Sequence, residues 1–403
     1  INKVKGSFIS DIKWLREFKK GENNLCSGVS GRLFRNVKNV ESPDWLKKRL
    51  SSIGLRPISA LVDITNYVTY DLGRPLHVYD ADKLNGNLVM RKATNNEKCQ
   101  TLDEKEYILS DEMIIISDDT SLHGIGGVMG GLKSGCSLKT SNVFLEVALF
   151  DPISITKTGR KLNIQSDARY RFERGVDSTS IEWGVDIATK LIMDLCGGEA
   201  SEIITDKNDD LDLKLINYNT NLTKSLGGIN IEIDEQINIL KKLGFKITKL
   251  KNTNIEVTIP TFRPDIEGTA DIVEEIIRIY GFDKIKPLSL VKDINLNSEF
   301  LSPNIKSFYK SKRLIANRGY FETVTWSFMD LEEANFINNN SSIQILNPIS
   351  ADLNVMRPSI FPNLLSSVNS NISRLYISGK LFEIGPNFHG VNEEDQQTVA
   401  TGI

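Results

Sequence analysis

The sequence predicts an α+β protein of several domains, and three observations carry that prediction. At 403 residues the chain exceeds one ordinary domain and fits two or three. Residues 56–150 read as short strands divided by turn residues, whereas later stretches alternate amphipathic helices with single strands. An acidic, polar run at Asp206–Asp210 separates the two patterns and reads as a domain boundary.

Composition narrows the class. With 40% hydrophobic and 25% charged residues, the chain can bury a sizeable core. A net charge of -3 gives no global basic field, so any nucleic-acid contact must come from local clusters. Cys26, Cys99, Cys136 and Cys196 are widely spaced, without CxxC or zinc-ligand spacing, and read as reduced thiols of a cytoplasmic protein. No apolar run is long enough for a membrane span.

Residues 1–55 are mixed and basic. Ser42-Pro43-Asp44 ahead of Trp45, Leu46, Leu50 and Ile53 is a helix start with an apolar face behind it, and Gly54 ends it. This stretch reads as support without chemistry. Leu61–Asp80 (LVDITNYVTYDLGRPLHVYD) reads as strand-like and aromatic-rich, broken by Gly73-Arg74-Pro75, and it sets Thr65, Asn66, Arg74 and His77 close together. His77 is one of only three histidines, which makes this stretch the candidate floor of a pocket.

Strands follow at Leu88–Arg91, Glu106–Leu109 and Met113–Ser117. Gly124–Gly131 (GIGGVMGG) has Met129 at the sixth position of GxGxxG and no Gly-Lys-Ser/Thr after it, so neither a dinucleotide fingerprint nor a Walker loop fits. Two readings stand: a tight turn needing positive φ, or backbone that approaches a ligand closely. Val143–Phe150 (VFLEVALF) is apolar on both faces apart from Glu146. A carboxylate there is costly unless partnered, so Glu146 is either half of an ion pair with an Arg or a pocket acceptor for a ligand hydroxyl.

Residues 156–177 carry Lys157, Arg160, Lys161, Arg169, Arg171 and Arg174. A solvated face is the plain explanation. The alternation of Tyr170 and Phe172 with Arg169, Arg171 and Arg174 also suits phosphate and base contacts. Residues 180–196 form an amphipathic helix closed by Gly197-Gly198.

Beyond the acidic run come a strand near Lys214–Tyr218, a helix near Asp234–Leu243, a hairpin tipped by Lys251–Asn254, and a helix over 269–280 ended by Gly281. The last helix and the loop before it hold Asp265, Asp271, Glu274 and Glu275. Acids there complement the helix dipole. They also lie close enough along the helix to form an oxygen-only set of the kind Mg2+ takes. The final stretch offers a helix at Ile305–Asn317, a strand at Glu322–Phe328, a loop at Met356-Arg357-Pro358, another helix and a strand at Lys380–Ile384, an α/β pattern cut short. The chain begins at Ile1 without Met and stops inside a strand-like pattern, which reads as a piece of something longer.

RPISALVDITNYVTYDLGRPLHVYD closely resembles the start of the B3/B4 editing domain in the β subunits of bacterial phenylalanyl-tRNA synthetases. The resemblance continues through GGVMGG, VFLEVALF, SDARYRFERGVD and CGGEA. PTFRPDIEGTADIVEEIIRIYG is similar to the family's B5 domain, and NPISADLNVMRPSIFPNLL to its B6 domain. The motifs run in the family's order from roughly Ser27 onward, and the first twenty-five residues match poorly. The resemblance implies four parts: a partial B1-like support segment (1–55), a β-rich editing domain (56–204), a small winged-helix-like B5-type αβ domain (205–287), and a partial class II synthetase-like B6 domain (288–403).

That family implies a cytoplasmic ligase, an α2β2 tetramer acting on tRNA-Phe. ATP-dependent charging would belong to the α-subunit site, while the β subunit would hydrolyse mischarged Tyr-tRNA-Phe. Carried over by position, His77, Thr65, Asn66 and Ser166 form the implied catalytic set, and Glu146, Gly130 and Ala168 bind substrate. The family position of Ser166 is often Thr; Ser keeps the hydroxyl. Asp265, Asp271, Glu274 and Glu275 match Mg2+ ligands shared with the α subunit. An acceptor that phenylalanine would leave unpaired favours tyrosine, which suits Glu146 as reader of the phenol. His77 would orient or deprotonate the attacking water, so no activated Ser or Cys is required.

Departures sharpen the expectation. Class II synthetases carry an Arg two residues before the Glu of their second motif, where this sequence has Leu381 before Glu383. The last domain should therefore be catalytically silent and pack on the α subunit. The chain contains no counterpart of the family's OB-fold or anticodon-binding domains, so alone it should not aminoacylate. The alternative is a non-catalytic scaffold that contacts tRNA with an inactive editing pocket. A free-standing esterase is a third reading, disfavoured because Leu381 and the acid cluster both point to a partner surface.

Overall fold

The Val143–Phe150 strand is buried along its whole length, and the surrounding layers are built outward from it. The computed structural model describes residues 3–208, 213–251, 253–289, 301–337, 342–375 and 379–403. It divides into two units, Ile1–Pro287 and Leu288–Ile403.

In the first unit, Val143–Phe150 pairs antiparallel with Cys26–Arg35 on one side and His77–Asp80 on the other. Glu199–Ala200 and Ile204–Lys207 pair with Cys26–Arg35. The support segment thus contributes a central strand, and Asp206 of the acidic run lies within a strand. Asp209 and Asp210 fall outside the described residues. Alternation divides the central strand between two cores. Val143, Leu145 and Val147 pack on a helical layer through Leu46, Leu61, Ile64, Val185 and Ala188. Phe144, Ala148 and Phe150 pack on a second sheet whose strand order is Trp14–Glu17, Leu88–Lys92, Ile114–Ser117, Leu122–Ile125, Met129–Gly130.

The expectation for Leu61–Asp80 is corrected. The stretch read as strand-like forms a helix, Ala60–Leu72, and only His77–Asp80 is a strand. Leu61, Ile64 and Val68 are fully buried. Their i, i+3, i+7 spacing makes one helical stripe, and that burial outweighs the β-branched and aromatic composition of the segment. Gly73, at φ 66, ends the helix in the left-handed conformation and turns the chain into Arg74-Pro75.

Residues 215–280 hold the expected strand, helix, hairpin and helix. Leu215–Asn219 and Lys246–Lys251 flank Asn254–Thr258, and Tyr218, Leu240, Val257, Ile272 and Ile276 form the core. Asn252 of the hairpin tip lies outside the described residues.

In the second unit, Tyr320–Glu322 runs parallel to Lys380–Phe388, which pairs antiparallel with Gln396–Gly402. The strand expected at Glu322–Phe328 is instead two short ones, Tyr320–Glu322 and Phe328–Met329. Between them the main chain is tied to the neighbouring strand by Thr323 N–H to Phe382 O, 2.8 Å, and Thr325 N–H to Glu383 Oε2, 3.1 Å.

The four cysteines are unpaired. Burial pushes the thiols of Cys26 and Cys136 up to about 12 and those of Cys99 and Cys196 to about 11. Among the described residues no helix is long and apolar enough to cross a membrane.

Candidate active site

Gly31, Glu146 and His77 form one row across three strands, Glu146 being in register with Gly31 on one side and His77 on the other. Directly opposed residues share a face, so Glu146 and His77 both point toward the second sheet. Tyr79, two residues beyond His77, shares that face, its ring edge-on to the imidazole at 4.5 Å between centroids. The glycine-rich hairpin and the short helix Asp167–Phe172 complete a cavity of about 430 Å3 counting its mouth. His77, Tyr79 and Glu146 supply its polar side chains, and Met129, Ala148, Phe150, Ala168 and Phe172 its apolar wall.

Glu146 is 6% exposed, and its Oε2 accepts a hydrogen bond from the Tyr79 hydroxyl. Its Oε1 has no intramolecular partner among the described residues. Burial pushes the carboxyl up to about 7, against the Tyr79 bond and the Arg74 charge, which both act to lower it. Arg74 is fully buried and spends its guanidinium on main-chain carbonyls, Ala148 O at 2.6 Å and Pro75 O at 3.0 Å. The expected alternative of a direct Glu146–Arg ion pair is therefore not the arrangement; Arg74 acts at a distance. Burial, then the nearby His123, lowers His77 to about 4. His77 is thus a neutral imidazole at neutral pH, and its buried Nε2 has no partner.

The turn reading of the glycine-rich stretch holds. Gly127, at φ 67, makes the tight turn. Gly130 lies against the site's histidine, where a Cβ would stand 2.4 Å from His77 Cε1.

The other expected residues have different surroundings. Ala168 lines the cavity. Ser166 caps the Asp167–Phe172 helix, accepting from Arg169 N–H at 3.1 Å, and its hydroxyl donates to Val128 O at 2.5 Å. It thereby ties the helix to the hairpin. Thr65 and Asn66 lie on the Ala60–Leu72 helix and do not line this cavity; the Thr65 hydroxyl bonds Val62 O at 2.7 Å. One turn beyond Asn66, Tyr70 meets Arg171, whose guanidinium lies 4.4 Å from the ring centroid.

Tyr79 is the residue that sequence reasoning missed. The signal was present: in a strand, residues two apart share a face, so placing His77 in a pocket places Tyr79 beside it. Behind Tyr79, His123 is buried and bonded to Asp118 Oδ2 at 2.7 Å, which leaves that histidine in a structural pair.

The four acids near 265–275 do not converge. Arg263 bridges Asp265 and Glu275, both at 2.7 Å, and Arg278 also holds Glu275 at 2.7 Å. Those two arginines hold the Glu275 carboxyl down at about 2. Asp271 is turned back to accept from Glu267 N–H and Gly268 N–H, both at 2.8 Å. Among the described residues no group of three such side chains is placed to hold a metal ion. In this chain by itself the four carboxylates do not fit Mg2+, because two are committed to arginines and one to a helix start.

In the second unit Leu381 is buried against Ile360 and Leu364. An arginine does reach Glu383, but it is Arg357, at 2.8 Å, fully buried and also bonded to Pro386 O at 2.8 Å.

Three domain families match this chain: the B3/4 domain over residues 25–197, the tRNA synthetase B5 domain over 216–282, and the phenylalanyl tRNA synthetase beta chain CLM domain over 289–401. Two of these descriptions name a tRNA synthetase, which sets the class. Phenylalanine–tRNA ligase beta subunits are similar along the whole chain, including the first twenty-five residues that the motif resemblance leaves out. That of Mesorhizobium japonicum is 43% identical over 404 residues, and that of Bradyrhizobium diazoefficiens 42% over 404; each match covers 100% of this chain and 50% of the relative. The Novosphingobium aromaticivorans protein is 44% identical over 383 residues, covering 95% of this chain and 47% of the relative. The chain belongs to the phenylalanine–tRNA ligase beta subunit family. It spans about half the length of the curated relatives it matches.

Proposed function

We propose that this chain works as the β subunit of a phenylalanine–tRNA ligase and that its cavity hydrolyses tyrosine mischarged on tRNA-Phe. The observation that carries the reading is Glu146, a buried carboxylate with Oε2 engaged by Tyr79 and Oε1 left over in a small, largely apolar cavity. A phenol hydroxyl supplies the missing donor. A phenylalanyl side chain leaves that oxygen desolvated and unpaired, and sites built on such a bond reject the analogue lacking it by roughly four orders of magnitude.

In the proposed reaction, water bonds to the ester carbonyl carbon, the bond from that carbon to the ribose oxygen breaks, and the ribose oxygen leaves with a proton from the water. A His77 lowered to about 4 is a weak base, so its role is to orient the water or the ester through Nε2. Gly130 and Ala168 shape the wall. Ser166 holds the helix that carries Ala168, and Thr65 and Asn66 would join only if the aminoacyl end extends past the cavity toward the Ala60–Leu72 helix.

The finer parts of the reading follow the resemblance. Residues 1–55, 56–204, 205–287 and 288–403 are taken as B1-like, editing, winged-helix-like B5 and class II-like B6 portions. The last is silent, with ATP used in the α-subunit site of a cytoplasmic α2β2 assembly. Exposed apolar side chains on the second unit, among them Phe321, Val324, Trp326, Phe336, Leu346 and Ile349, support a partner-covered surface there.

The test is deacylation of Tyr-tRNA-Phe by the assembled ligase, comparing wild type with Glu146→Ala and His77→Ala. Equal rates in all three would remove the editing assignment and leave a scaffold.

A further inference from the structure

The helix Asp167–Phe172 has an outer side that the ester cavity does not use. There Tyr170, Arg171, Arg174, Trp183 and Phe262 line a separate recess of about 640 Å3 counting its mouth. Tyr170 is 57% exposed and Phe262 56%, so two large rings stand in water. The Arg174 guanidinium lies 3.7 Å from the Tyr170 ring centroid. It is fixed there by bonds to Tyr170 O at 2.8 Å and Glu173 Oε1 at 2.7 Å, yet its side chain remains 54% exposed. Arg171, held 3.5 Å from Asp167, adds a second cation.

Flat π faces and anchored guanidinium groups are thus offered together. A purely apolar partner would strip water from the half-exposed Arg174 head group and give it no new acceptor, and an acidic peptide would leave the rings idle. An unpaired nucleotide uses both, its base stacking on the ring and its phosphate meeting the arginines. The recess also has a fixed relation to the cavity. One short helix turns Ala168 and Phe172 into the cavity and Tyr170 and Arg171 into the recess. A chain whose terminal ester enters the cavity has to carry its nearest nucleotides past this helix.

We infer that the Tyr170–Arg174 recess binds an unpaired nucleotide adjoining the ester-bearing 3′ end of the tRNA and so positions the ester over the cavity. The inference rests on the editing reading of that cavity and adds to it a subsite outside the expected residues. Its test uses the assembled ligase with Tyr170→Ala, Tyr170→Phe and Arg174→Ala. In deacylation of Tyr-tRNA-Phe, loss of one stacked base should raise KM by about tenfold in Tyr170→Ala with a much smaller effect on kcat, and Tyr170→Phe should restore it. In parallel, uncharged tRNA-Phe with 2-aminopurine at the penultimate nucleotide should be more strongly quenched by wild type and Tyr170→Phe than by Tyr170→Ala. Wild-type KM and equal quenching in all variants would overturn the inference, as would a loss confined to kcat. A wild type that hydrolyses no Tyr-tRNA-Phe would instead sink the cavity reading. The aminopurine comparison needs no hydrolysis and would still decide the recess.

Discussion

His77 and Glu146 stand opposite each other across antiparallel strands, and burial drives their titrations apart, the imidazole down to about 4 and the carboxyl up to about 7. Between those values both groups are uncharged, and near neutrality only Glu146 changes. The acceptor strength of its free oxygen therefore grows as pH rises through about 7. Preference for tyrosyl over phenylalanyl ester should increase from about pH 6 to about pH 8. The rise should vanish in Glu146→Gln. Rate ratios measured across that range check it, and a flat wild-type ratio would refute it.

The same pair gives stability two opposed slopes. The Glu146 carboxyl ordinarily titrates at 4.5, so the fold holds its proton more tightly, and stability from this group falls as pH rises from 4.5 toward 7. His77 ordinarily titrates at 6.5, so the fold disfavours its proton; that contribution is complete above 6.5 and is lost as pH falls toward 4. Urea unfolding across pH should show a shallower alkaline decline in Glu146→Gln and a shallower acid decline in His77→Asn.

Tyr79→Phe keeps the ring against His77 and removes the donor to Glu146 Oε2. The carboxyl then loses a bond that lowers its pKa, and the rise in tyrosine preference should move to higher pH. Leaving a buried acceptor unpaired should also cost about 1–3 kcal/mol of stability, measured by denaturant unfolding.

Gly130→Ala should cripple the site while sparing the fold. The added Cβ falls 2.4 Å from His77 Cε1, so the imidazole must move. Displacing a positioning group by about 1 Å costs on the order of a hundredfold in rate. Deacylation by Gly130→Ala should fall on that scale, with a circular dichroism spectrum like the wild type.

Around Glu275, isothermal titration of the chain alone with Mg2+ should give no saturable heat, because Arg263 and Arg278 occupy that carboxylate. Arg263→Ala should lower the melting temperature by breaking the bridge between Asp265 and the buried Glu275. Saturable Mg2+ binding by wild type would show that the carboxylates leave their arginines.

Much of the fold was legible because burial and punctuation agree. The helix at Ser180–Cys196 and the strand at Val143–Phe150 carry patterns that admit one arrangement. The Ala60–Leu72 helix was not read correctly because Val62, Thr65, Tyr67 and Thr69 favour strand, and only packing on the central sheet selects the helical stripe. At the site, Glu146 announced itself as a charge in an apolar strand. Tyr79 and Arg74 did not reveal their roles, because their partners, Glu146 and Ala148, lie about seventy residues away in sequence. The acid cluster shows the opposite limit: spacing along a helix brings carboxylates near one another without showing that Arg263 lies between two of them.

The suppressed thiols give the protein a practical property. Alkylation and oxidation both proceed through the thiolate, and burial holds all four cysteines far from forming one at neutral pH. The chain should tolerate air and maleimides without masking mutations. A single Tyr170→Cys change would then introduce a uniquely reactive handle, letting a fluorophore report from the rim of the recess against a chemically silent background.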